Sequence, residues 1–263
     1  MGRGIRGFIL RRDVRNKGVR YKVGGSIATA GDGAIEARRQ EIRAQIEQLT
    51  APSTFLEKAG DTARHLLSPK TPLNQADMQA IDDWVRGGWQ IINEHLRKTI
   101  SQQDLDLFND PAIPQMKNGV QVGTLDDRVR AVTTALEHLP DHAGTTYRRA
   151  GYANPDVYRT KIQPGDYIQD SGFLASSTVK GGEGAASGWG TKKKQVYFEI
   201  HGKTGKDISP YSEISGEREV LFKPGTKFKV DAISEDDEKV FVIMHEVDTQ
   251  KPAKNPYNGD PVP

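Results

Sequence analysis

The chain has 263 residues, 35% hydrophobic and 27% charged, the balance of a globular protein long enough to bury a sizeable core. It has no cysteine, which excludes disulfides, zinc–thiolate sites and cysteine nucleophiles, and no stretch approaches the roughly 20 apolar residues that span a bilayer. Six scattered histidines form no HExxH-type pair, so no metal is expected.

The net charge of +2 is unevenly distributed. Residues 1–25 hold Arg3, Arg6, Arg11, Arg12, Arg15, Lys17, Arg20 and Lys22 against Asp13 alone, which leaves the rest of the chain mildly acidic. A basic arm on an acidic body suits nucleic acid or an anionic membrane. It suits a solvated leader or a cloning remnant equally well. The apolar core of a secretory signal is missing. Arg6 stands where a myristoylation motif has Ser or Thr. No RNA-binding signature or aromatic interleaving accompanies the basic residues, so nucleic acid is the less favoured partner.

Gly24, Gly25, Gly31 and Gly33 mark a flexible passage, and 1–33 reads as a basic flexible arm. Ala34 to Leu49 and Ser53 to Leu67 read as a helical appendage over 34–70, closed by Pro69 and Pro72. Asn74 is a plausible N-cap for a long helix from Gln75 to Lys98. Gly87-Gly88 inside it costs about 1 kcal/mol per Gly relative to Ala, so close backbone approach to a ligand is one reason to keep them. Thr124 with Asp127 three residues on opens a helix from Leu125 to Leu139, a variant of the capping box.

From Gly144 onward Gly, Pro and Asp separate short β-forming runs: "TTYRRAGY", "DYIQDSGFLASST", "KQVYFEIHG", "GEREVLF", "KFKVDAIS" and "KVFVIMHEV". Helices first and strands after imply an α+β fold, with a helical front layer on a β-sandwich of short, mostly antiparallel strands. One catalytic domain is expected over 71–248. The polar, proline-rich 249–263 is expected to be disordered.

"SGEREVLF" sets Glu217 and Glu219 two apart before an apolar run. In an extended strand such residues share a face, and like charges side by side repel. A solvated strand end tolerates the pair. A site whose substrate brings positive charge would use it.

Four stretches occur in order: the helix "AIDDWVRGGWQIINEHLRK", the strand "TTYRRAGY", the strand "DSGFLASST", and "SGEREVLF". Together they resemble the arginine-serine-glutamate class of mono-ADP-ribosyltransferases, which includes the enzymatic components of clostridial binary toxins and several bacterial effector toxins. The resemblance runs from about Pro72 to Val247. It implies NAD as co-substrate and a target protein bearing a reactive arginine. It further implies an enzyme secreted or delivered into a target cell and acting in its cytoplasm.

Trp84, Trp89 and Asn93 match the family's aromatic-x4-aromatic-x3-Asn helix, which implies cofactor contact, although Trp84 reads equally well as core. Arg148 after Tyr147 matches the arginine that binds the NAD phosphates, with Arg149 as a neighbour; a planar fork of donors suits a pyrophosphate. The family's aromatic-x-Ser-Thr-Ser pattern falls on Ala175, Ser176 and Ser177 by strict count from Phe173, or begins at Ser176 if a bulge adds a residue. Ser176 is the preferred bracing hydroxyl, with Ser177 beside it. Glu219 takes the place of the carboxylate that stabilises the oxocarbenium-like ribose, and Glu217 that of the group that meets the arginine acceptor. Hydrolysis of NAD by water, or nucleic acid as acceptor, would use the same pocket.

Overall fold

Asn74 opens the first helix of this computed structural model, its side chain accepting from the Asp77 amide at 2.9 Å; such a cap contributes about 1 kcal/mol. The structure describes residues 20–23, 72–110, 116–117, 120–121, 123–150, 153–179, 195–211, 218–235 and 239–262. The helices expected within 34–70 lie outside these residues, as does most of the basic arm. Part of that arm, Arg20–Val23, forms strand β1, so 1–33 is not flexible throughout.

Helix α1 spans Gln75–Asp83, a π turn spans Trp84–Gly88, and α2 spans Trp89–Leu96. The single helix expected from Gln75 to Lys98 is therefore interrupted. Gly87 has φ +105°, a backbone that side-chain-bearing residues rarely adopt, and the Trp89 amide reaches back five residues to the Trp84 carbonyl. At Gly88 a Cβ would lie 2.5 Å from the Asp83 carbonyl and 2.8 Å from an Arg128 guanidinium nitrogen. Gly88 thus serves a protein contact and not the ligand approach expected of it.

Helix α3 (Gln102–Asn109) follows, then α4 (Leu125–Glu137), which carries the expected reciprocal capping box between Thr124 and Asp127. Arg128 of α4 grips Asp83 with two bonds, Nε–Oδ2 2.8 Å and Nη2–Oδ1 2.9 Å, both side chains buried. Bidentate geometry of this kind lets two desolvated charges satisfy each other. It locks α4 to the residue just ahead of the π turn.

The β-forming runs all contribute strands. These are β4 (His142–Ala150), β5 (Tyr167–Gln169), β6 (Leu174–Ser177), β7 (Gln195–Asp207), β8 (Glu219–Phe222), β9 (Lys227–Glu235) and β10 (Lys239–Glu246). Helix α5 (Pro155–Thr160) lies between β4 and β5, and Met116–Lys117 with Val120–Gln121 (β2 and β3) make a separate small hairpin. The main sheet runs β12-β11-β5-β9-β10-β7-β4-β6-β8, where β11 is Ala253–Lys254 and β12 is Pro261–Val262; β1 pairs with β9. The end of β7 also pairs with β8, so β7, β4, β6 and β8 close on one another. Among the described residues only β10–β7 and β11–β5 are parallel, in line with the mostly antiparallel expectation.

Alternation along β8 divides two cores. Val220 and Phe222 join the sheet core with Phe198, Ile200, Phe228 and Val242. Leu221 faces the helical layer with Ile81, Trp84, Ile92, Leu136 and Phe173. Glu219, two residues before Leu221, begins the strand on that same helical side.

The tail expected to be disordered is ordered up to Val262. It adds β11 and β12 to the sheet edge, the Pro256 carbonyl accepts from the buried Tyr158 hydroxyl at 2.7 Å, and Tyr257 packs against the sheet core. Backbone pairing and two aromatic anchors outweigh its polar composition.

Candidate active site

Glu219 is 4% exposed although it begins its strand. A carboxylate at that depth requires donors. Trp84 provides one, its indole N–H reaching Oε1 at 3.0 Å. Across the ladder Glu219 stands opposite Ser177, and Ser177 in turn stands opposite Tyr147 on β4. Directly opposed residues share a face, so Tyr147, Ser177 and Glu219 line one side of adjoining strands.

The register from Leu174↔Phe222 to Ser177↔Glu219 runs without a shift. No bulge adds a residue, and Ala175, Ser176 and Ser177 follow the strict count from Phe173. Ser176, fully buried, turns to the other face and donates to the Val220 carbonyl at 3.0 Å. It braces the backbone of the strand that carries Glu219. The hydroxyl on the Glu219 side is that of Ser177, which accepts from the Val179 amide at 3.0 Å.

Arg148, opposite Phe198, is 8% exposed and directs Nη1 to the Ala175 carbonyl of β6. Arg149, opposite Tyr197, is half-buried on the other side of the strand. The two neighbouring arginines thus diverge, as strand alternation demands.

In the aromatic helix Trp84 takes the core alternative, and Asn93 bonds to the protein itself. Trp84 does not lie open as a ring cover: it is 2% exposed and packs edge-on against Phe173, centroids 5.1 Å apart. Asn93 commits both amide atoms to the Phe173 backbone, accepting from its N–H at 2.8 Å and donating to its carbonyl at 3.3 Å. Asn93 is therefore a clamp between α2 and the start of β6. Trp89 is half-buried against the helical core.

Glu217 lies outside the described residues. Arg218 has φ +46°, a left-handed backbone that costs a non-glycine residue roughly 1–2 kcal/mol, and β8 starts only at Glu219. Tyr211, in a short 3-10 turn after β7, packs half-buried against the helical core.

Sequence reasoning missed two positioning groups. Asp83 and Arg128 are 45 positions apart and pair only once α1 and α4 pack. Asp170 accepts from Arg97 and from Tyr257 in the tail, and its Oδ1 also takes the Gly172 amide at 2.9 Å. The Asp-x-Gly spacing before Phe173 is a turn signal that could have marked Asp170 in advance.

A closed strand set with a helical layer over a buried carboxylate defines an ADP-ribosyltransferase-type fold. A family model described as ADP-ribosyltransferase exoenzyme matches residues 56–251, and the chain belongs to that family, whose enzymes use NAD as co-substrate. The putative NAD(+)–arginine ADP-ribosyltransferase Vis of Vibrio splendidus is 27% identical over 197 residues, 71% of this chain and 72% of that protein. The NAD(+)–protein-arginine ADP-ribosyltransferase Tre1 of Serratia proteamaculans is 32% identical over 99 residues, 38% of this chain and 20% of that protein. In three dimensions the crystal structure of ADP-ribosyltransferase Vis in complex with agmatine superposes with a TM-score of 0.64 at 22% identity, covering 82% of this chain and 98% of that one. Among the described residues no helix is long and apolar enough to cross a membrane.

Proposed function

We propose that this chain is a mono-ADP-ribosyltransferase that cleaves NAD and transfers ADP-ribose to an arginine of a target protein. The observation that carries the reading is Glu219, a buried carboxylate fixed in place beside Ser177 at the head of β8. As the bond from ribose C1 to nicotinamide breaks, nicotinamide leaves with the bonding electrons and positive charge develops on the ribose. A preorganised carboxylate aimed at that charge supplies the electrostatic stabilisation that usually dominates such catalysis. The guanidinium nitrogen of the target then bonds to C1 and releases one proton.

In this reading Arg148 meets the pyrophosphate, Trp89 offers a ring face to the dinucleotide, and Glu217 holds the incoming guanidinium. The printed names of the Vibrio and Serratia relatives, both arginine-directed, support arginine as acceptor. The toxin description of the Vibrio relative supports secretion or delivery into a target cell.

Incubation with labelled NAD and a cell lysate tests the proposal. Label on protein that neutral hydroxylamine removes is the expected result. Label found only in free ADP-ribose would replace transfer with hydrolysis, and label removed by nuclease would replace the protein acceptor with nucleic acid.

A further inference from the structure

We infer that Trp84 is a positioning residue for the catalytic carboxylate: its indole N–H fixes the plane of the Glu219 carboxyl group, and its ring does not cover the cofactor. The inference rests on the reading of Glu219 as the catalytic carboxylate.

The indole carries a single polar atom, a donor with no acceptor capacity. Here that atom is aimed at Glu219 Oε1, 3.0 Å away across 135 positions of sequence. The ring itself is 2% exposed and wedged edge-on against Phe173, so no stacking face remains for a dinucleotide. The terminal torsion of a glutamate is broad and soft. A carboxylate that must meet a developing charge in one orientation therefore needs an external donor to hold its plane, and a fixed indole provides it at no cost of reorganisation during the reaction.

The donor is itself held. Trp84 begins the π turn, immediately after Asp83, and Asp83 is gripped bidentately by the buried Arg128. Gly88 allows the turn to close against that pair, and the Trp89 amide returns to the Trp84 carbonyl. Trp84 continues the helical backbone of α1, its amide bonded to the Ala80 carbonyl, and the non-helical torsions fall after it, at Arg86 and Gly87. Helix α1 thus carries the indole N–H to the start of β8, and the buried ion pair at Asp83 anchors that end of the helix.

The test compares Trp84→Phe with Trp84→Tyr, a pair that differs only in a hydroxyl donor, using steady-state NAD hydrolysis with Glu219→Gln alongside. Loss of a hydrogen bond to a charged group corresponds to roughly ten- to a hundredfold in rate. Trp84→Phe is expected to lower kcat by that factor with KM for NAD within about twofold of the wild type. Trp84→Tyr is expected to run several-fold faster than Trp84→Phe. Equal rates for the Phe and Tyr variants would reduce Trp84 to packing. A loss confined to KM would restore it as a cofactor contact, and wild-type kcat in Trp84→Phe would refute the role outright. Glu219→Gln separates the two levels: if it is inactive while Trp84→Phe is unimpaired, the site reading survives and the positioning role fails. If Glu219→Gln stays active, the site reading fails and this inference with it. Should the Phe or Tyr variant not fold, benzothienylalanine at position 84, a tryptophan isostere without the N–H, carries the same comparison against the wild type.

Discussion

Tyr257 and Arg97, 160 positions apart, converge on one carboxylate. Arg97 engages both oxygens of Asp170, Nε at 2.9 Å and Nη2 at 2.7 Å, while the Tyr257 hydroxyl donates to Oδ2 and its ring lies 4.9 Å from the guanidinium carbon. Asp170 in turn holds the Gly172 amide, one residue before the Phe173 that Asn93 clamps. The end of the chain is thereby tied to the segment that leads into β6.

Tyr257→Phe removes the bond to Asp170 and the acceptor of Arg97 Nη2 at 3.1 Å; a bond to a charged group is worth roughly 1.5–3 kcal/mol, and for a chain of this size each kcal/mol shifts Tm by about 2–4 °C. A melting point lower by several degrees is expected. Truncation after Asp248, which also removes β11 and the Pro256 acceptor of Tyr158, should lower it further. An unchanged melt for the truncated chain would show that the tail contributes nothing to the fold.

Arg148→Lys should weaken NAD binding at least tenfold. An ammonium on a flexible stem cannot both fork onto a pyrophosphate and keep the donor that Arg148 directs to the Ala175 carbonyl. Isothermal calorimetry with NAD reads the effect directly. Affinity equal to that of the wild type would remove Arg148 from the phosphate site.

Much of this architecture was legible in the sequence because it is local. Short β-forming runs between Gly, Pro and Asp became strands, and Thr124 with Asp127 formed its capping box, since each depends on neighbours a few residues away. The features that escaped depend on distant partners. The π turn at Trp84–Gly88 packs its Gly88 against Asp83 and the Arg128 that comes in from α4 to grip it. The tail is ordered because Asp170 and Tyr158 wait for it. Which serine faces Glu219 follows from the β6–β8 register, and a register is a relation between two strands that neither one states alone. The left-handed torsion of Arg218, just before β8, is likewise a conformation that composition does not reveal.

His201 supplies a pH dependence of stability. The hydrogen bond and ion pair with Glu199 on its own strand, 2.9 Å away, hold its pKa above the ordinary 6.5; partial burial opposes this, and the charge of Asp231 adds to it. Thr145 on β4 and His245 on β10, itself paired with Asp231, also face it. A raised folded-state pKa means the contribution is fully present below about pH 6.5 and is lost as pH rises through the folded value. The wild type should therefore lose part of its thermal stability above that pH, and His201→Gln should flatten this slope. Parallel Tm–pH curves for the two proteins between pH 5.5 and about 8.5 would exclude the effect.

Glu217→Gln separates the two carboxylates most sharply. Glu219 is buried at the head of β8, and Arg218 immediately before it has a left-handed backbone. The proposed tasks differ: one carboxylate for the ribose cation, the other for the acceptor. Glu219→Gln keeps shape and removes charge, so transfer and hydrolysis should both fall by at least about 10²-fold with little change in Tm. Glu217→Gln should instead lose arginine transfer and largely retain NAD hydrolysis, because water needs no carboxylate to hold a guanidinium. Both rates are measured on one preparation with labelled NAD, with and without a small guanidine acceptor. Equal loss of the two activities would assign Glu217 to the cleavage step, and survival of both would return it to a solvated charge at the edge of the strand.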